Sequence, residues 1–188
     1  MKKKNLFVSA IAIVLVLCCA IGGSLAWLTD KTEDVANIFT VGDINITLTE
    51  STDTYKVLPG KEIAKDPKVT VKANSEDCYV FVEIKEENFN KLEYAVAEDW
   101  KQLKEGSNVY YQTVNVSDED QAFYVLKDNK VIAPSTLTAE DLKEMGKNQP
   151  KLTFTAYAIQ YYSGENTEGN KTYFTPEEAW EKVSAQNA

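Results

Sequence analysis

Carboxylates are the commonest groups in this chain that could do acid–base chemistry. They come in pairs and runs: Glu86-Glu87, Glu98-Asp99, Asp118-Glu119-Asp120 and Glu140-Asp141. Two such groups facing each other across a cleft could share general acid and general base work, as in glycoside hydrolysis. With 29 Asp and Glu in the chain, adjacent pairs arise by chance, and these fall in predicted turns, where a solvated surface accounts for them. Asp118-Glu119-Asp120 could also offer oxygen ligands to Ca²⁺. No EF-hand spacing accompanies it, and weak calcium binding is left open. Cys78 could be a metal ligand or a reactive thiol. It sits in a predicted strand with no basic neighbour to favour the thiolate, so it reads as a small buried apolar side chain.

Histidine is absent, which removes Ser-His-Asp and Cys-His nucleophile systems and the HExxH zinc site. No metal or cofactor is expected, and the chain is read as a non-enzyme. All 20 basic residues are lysines, and three of them, Lys2, Lys3 and Lys4, head the chain. They open a positively charged start, followed by an apolar run over residues 6–20 and then Ile21-Gly22-Gly23, which loosens the helix. Ser24 and Ala26 flank Leu25 as the small pair that a signal peptidase requires, which predicts a signal peptide over residues 1–26 cut before Trp27. An uncleaved anchor is the alternative, since residues 6–27 are long enough to span a bilayer. A lipoprotein is disfavoured, because Leu17 and Cys18 are poor residues to precede a lipidated cysteine.

Removal of the signal takes Cys18 and Cys19 with it, so Cys78 has no partner for an intrachain disulfide. The remaining 162 residues carry 17 lysines against 29 acids, a net charge near −12. Such a surface repels phosphate, arguing against nucleic acid and against a peripheral hold on anionic lipid. The only membrane contact expected is through the uncleaved signal.

The elements that must position these groups read mainly as strands. Residues 43–49 alternate strictly, with Ile44, Ile46 and Leu48 on one face. Residues 67–73 alternate again, and Asn74-Ser75-Glu76-Asp77 reads as a tight link into residues 78–84, a predicted hairpin. Further strands are predicted over residues 108–114, 122–126 and 152–162, the last apolar on both faces and therefore central. Trp100 is expected to anchor the ambiguous stretch 88–103 in the core. Residues 163–171 read as a polar loop. Two short helices are predicted, one from Thr138 to about Gly146 and one capped by Thr175 with Pro176 first and Glu178 closing a capping box. The expected fold is mainly β: a two-sheet β-sandwich of jelly-roll type with two short helices, over residues 43–188. Helices packed on one sheet are the alternative.

Residues 27–42 form a separate N-terminal segment. Trp27 and Leu28 place two large apolar side chains at the new terminus, and a second apolar block follows at Ile38, Phe39 and Val41. This segment either tucks into the chain's own sheet or completes the sheet of a neighbour.

At these residues the chain resembles the TasA/camelysin (CalY) family of Gram-positive bacteria. The resemblance lies in Gly23-Ser24-Leu25-Ala26-Trp27-Leu28-Thr29-Asp30 and in Asn37-Ile38-Phe39-Thr40-Val41-Gly42-Asp43-Ile44. Leu58-Pro59-Gly60, residues 68–75 and Tyr79-Val80 are also similar. It implies a jelly-roll fold, a SipW-type signal peptidase as processing partner, and a secreted biofilm-matrix or cell-surface fibre assembled through an N-terminal donor strand. The metallopeptidase activity ascribed to camelysins is not carried over to a chain without histidine. The expectation is therefore an exported structural subunit. Its rivals are a monomeric secreted binding module for glycan or protein and, third, a carboxylate-based hydrolase.

Overall fold

Alternating apolar residues set the strands. Ile44 and Ile46 are buried and Leu48 half-buried, which places one face of β2 (Ile46–Thr49) inward. The strands that follow are β3 (Glu62–Ala64), β4 (Lys68–Val71), β5 (Cys78–Glu87), β6 (Lys101–Gln102) and β7 (Val109–Val114). After them come β8 (Gln121–Tyr124), β9 (Lys130–Ile132), β10 (Lys151–Gln160), β11 (Tyr162–Glu165) and β12 (Lys171–Tyr173). A further strand, β1 (Thr29–Thr32), precedes them, and two helices interrupt them, α1 (Ala139–Lys147) and α2 (Pro176–Gln186). These elements come from a computed structural model that describes residues 29–32, 44–52 and 55–187.

All strand pairs among the described residues are antiparallel, and the fold is mainly β with two helices. The largest sheet runs β1-β10-β5-β7-β6, and a second runs β2-β4-β8. Two-stranded pairs, β3-β9 and β11-β12, complete the set. The β10–β5 ladder extends unbroken from Lys151 opposite Glu87 to Gln160 opposite Cys78.

Period-two alternation along β5 and β10 divides their side chains between two cores. Val80, Val82, Phe154 and Ala156 share one buried cluster with Ile46, Val69 and Val71 of the second sheet, so the two sheets face each other. On the opposite face, Phe81, Tyr157 and Ile159 meet Ala179 and Val183 of α2. Trp180 packs there, tilted at 5.4 Å from the Phe81 ring and edge-on at 5.1 Å from Tyr157. The larger sheet is thus covered by a sheet on one side and a helix on the other, which is why residues 152–162 are apolar on both faces. The strand is interior, as expected, although β5 holds the middle place.

Both helices begin where the sequence places their caps. Thr138 accepts from the Asp141 backbone and Thr175 from that of Glu178, each with the reciprocal carboxylate bond. Trp100 is buried and donates its indole N–H to the Tyr124 carbonyl at 2.9 Å.

Two expectations need correction. The predicted hairpin of residues 67–84 does not form: β4 pairs with β2 and β8, while β5 pairs with β10 and β7. At the link, Asn74 takes a left-handed φ of 62° and donates its backbone N–H to the Ser117 carbonyl. Ser75 Oγ accepts from the Asn45 backbone at 3.1 Å. These bonds carry the chain across the core, so that β4 and β5 face each other through their apolar sides. The expected loop at 163–171 is instead the β11–β12 hairpin, with Asn166 Oδ1 accepting from the backbones of Glu168 and Asn170 at its tip.

Candidate functional site

The residues expected to direct cleavage (Ser24, Ala26, Trp27) and assembly (Trp27, Leu28, Ile38, Phe39, Val41) lie outside the described residues. The stretch directly after Leu28 is described, and it is β1. It lies antiparallel on the outer edge of β10, with Thr29 opposite Ile159 and Thr32 opposite Ala156. Backbone N–H and C=O groups on a strand edge need partners, and an added strand supplies them. β1 covers only four positions of β10. Residues 151–155 have no strand on their outer side among the described residues, although β5 pairs with them on the inner side. Thr32 borders this uncovered stretch.

A groove of about 620 Å³ runs beside the uncovered stretch. Leu152, Thr153 and Phe154 form one wall, and Leu48, Thr49 and Pro67 the other. A second groove of about 550 Å³ lies under α1, lined by Ile63, Leu92 and Met145 among others. Lys65 borders both. It is 8% exposed, and its ammonium lies 2.6 Å from Glu50 Oε1. Two aromatic rings flank that ammonium, Tyr55 at 4.8 Å and Phe154 at 5.3 Å. Tyr55 donates its hydroxyl to Glu50 Oε1 at 2.5 Å and also contacts the Thr52 carbonyl. Sequence reasoning passed over this group. Its signal was a lysine two residues after Ile63, on the inward face of the same alternation.

Each acidic group has a member engaged in a structural bond, and two of these members, Glu86 and Asp141, line one pocket of about 310 Å³ with Glu144. Glu98 pairs with Lys127 at 2.7 Å, which lowers its pKa. Asp120 is held low by Lys72, at 2.8 Å, and then by the Ala73 backbone N–H. Lys91 and the Thr138 cap together hold Asp141 well below the usual carboxylate range. Glu86 accepts from the Tyr94 hydroxyl at 2.7 Å, and burial followed by that bond pushes the tyrosine pKa up. Each of these carboxylates serves an ion pair, a cap or a hydroxyl, and among the described residues no three acidic or cysteine side chains form a cluster suited to a metal ion. Cys78 is fully buried as a free thiol, and burial, reinforced by the charge of Asp77, raises its pKa to about 12. A thiol so placed is an unreactive core side chain.

No family model, curated protein or solved structure matches the chain.

Proposed function

We propose that the chain is an exported, non-enzymatic structural subunit of a Gram-positive biofilm matrix or cell-surface fibre. In this reading a SipW-type signal peptidase releases the N-terminal segment, which then completes a sheet of jelly-roll type in a neighbouring subunit. The observation that carries it is the seat of β1. Four residues that follow the expected cleavage junction lie in register along β10; beyond them its outer edge carries no strand among the described residues and borders a groove of mixed polar and apolar lining. An edge of this kind accepts a strand from its own chain or from another with the same backbone bonds. Donation from subunit to subunit is head-to-tail and open-ended, which yields a fibre and not a closed ring. Before cleavage the donor is tethered to the signal in the membrane and cannot pair.

Electron microscopy of the purified mature protein tests this. Filaments are expected; protein that stays monomeric at high concentration across pH and salt refutes it. The second reading, a monomeric secreted binding module, is favoured by the pairing of β1 with β10 of the same chain. It also draws on the tyrosines around the β11–β12 hairpin, where the Tyr161 and Tyr173 rings lie 5.6 Å apart and Tyr173 is 54% exposed. Exposed aromatic faces of this kind suit the apolar faces of sugar rings. Dispersed particles that bind a glycan column would select it.

A further inference from the structure

The groove under α1 owes part of its space to a glycine. Gly146 stands in the last turn of α1, inside a helix, where glycine costs about 1 kcal/mol relative to alanine. Its backbone is helical and a Cβ built on it would meet nothing within 4 Å, so neither a turn nor a close approach requires the residue. Gly146 follows Leu142 by four residues, which puts both on one face of the helix, and both line this groove. Ile63, Val131, Met145 and Leu152, all buried, line it with them. Its charged lining residues among those described are Lys65 and Lys151, with no carboxylate. That is unusual in a chain with 29 acids against 20 lysines. The adjoining pocket, which shares Phe89 and Met145, is lined by Glu86, Asp141 and Glu144. Lys65 is matched by Glu50 at 2.6 Å, whereas Lys151 is exposed and has no ion pair among the described residues. One unmatched positive charge therefore stands beside a largely apolar lining.

We infer that this groove binds a fatty-acid-like amphiphile, a single alkyl chain ending in a carboxylate. The alkyl chain lies along Ile63, Met145 and Leu152 in the space that Gly146 leaves, and the carboxylate meets the Lys151 ammonium. A volume of about 550 Å³ and an apolar lining with a few polar groups suit a small-molecule site. The polar lining side chains are few, and two of them, Lys65 and Tyr55, are already engaged with Glu50. A peptide laid there would bury backbone N–H and C=O groups with little to pair them, whereas an alkyl chain buries none. An anionic end is selected because the unmatched charge is positive, although the chain as a whole is acidic. The site does not depend on the fibre reading, since none of the four β10 positions that seat β1 lines it.

Methyl NMR of the full chain, labelled at methionine, tests the site. Met1 and Met145 are the two methionines, and Met145 lines the groove. Sodium dodecanoate, titrated below its micelle-forming concentration, is expected to shift the Met145 methyl with saturation. Decanoate is expected to bind about fifteenfold more weakly, at about fourfold for each methylene lost. Gly146→Leu sets a side chain beside Leu142 in the groove; it is expected to abolish the shift while the urea midpoint holds or rises. Lys151→Gln alters an exposed position and is expected to weaken dodecanoate about two- to fivefold. A Met145 methyl unmoved by dodecanoate in the wild-type chain overturns the inference, and so does a saturable shift that survives Gly146→Leu at full affinity. Equal affinities in the wild type and Lys151→Gln overturn the seat given to the carboxylate.

Discussion

Deleting residues 27–41 removes β1 and exposes the edge of β10 from Ala156 to Ile159. Four registered pairs of an antiparallel ladder contribute roughly four backbone hydrogen bonds, each worth about 0.5–1.5 kcal/mol net. The deletion is therefore expected to cost about 2–6 kcal/mol. With a urea m-value of about 2 kcal/mol/M, that moves the unfolding midpoint down by roughly 1–3 M. The assay is urea unfolding followed by the fluorescence of Trp100 and Trp180, which both remain. A synthetic peptide of residues 27–41, added in trans at about a hundred times its dissociation constant, should restore about 2.7 kcal/mol by mass action. It should do so with saturation, because the deletion vacates one seat along β10. An unchanged midpoint on deletion shows that β1 adds nothing to the sheet. A deletion effect with no rescue at any peptide concentration shows that the edge cannot take a strand from outside, and the fibre reading fails with it.

Trp180→Ala strips the ring that α2 sets against Phe81 and Tyr157, and a loss of about 2–4 kcal/mol is expected; an unaltered melting temperature would mean the helix does not dock there. Thr175→Ala removes one half of the α2 capping box and should cost about 1 kcal/mol in urea unfolding, while a cost near zero counts against the cap. Cys78 should resist a water-soluble thiol reagent in the native protein and react only on unfolding; fast native labelling contradicts its burial. Cys78→Ala should be better tolerated than Cys78→Ser, since serine would bury a hydroxyl at a cost of about 1–3 kcal/mol. Asp141 and Glu178 are held below their ordinary pKa values of 3.8 and 4.5 in the folded chain. A carboxylate whose pKa is lowered by folding gives stability that is complete above the unfolded value and is lost as pH falls through the folded one. The urea midpoint should accordingly be level near neutrality and decline below about pH 4.5, with a shallower decline in Asp141→Asn; a midpoint that rises on acidification contradicts both assignments.

What the sequence determined by itself is local. Alternation at Ile44, Ile46 and Leu48 and along residues 67–84 marked the strands, because a side chain's face in a strand depends only on its parity. Thr138 and Thr175 marked the helix starts, because a cap is completed within four residues. Cys78 was legible as a core side chain from its place between apolar neighbours. Pairing was not legible in the same way. Nothing within residues 67–84 says that β4 takes β8 while β5 takes β10, since those partners lie some tens of residues away and compete for the same edges. The hairpin of β11 and β12 was missed because its strands are short and polar and are held by the Asn166 turn. Only the tertiary structure laid β1 along part of β10, with no strand on the rest of that edge among the described residues. It alone gathered Glu50 and Tyr55 of the β2–β3 link with Lys65 and Phe154, which share no motif. The physical reason is one of range: turn chemistry and side-chain parity act over a few residues, whereas edges, grooves and buried charges are made where distant segments meet.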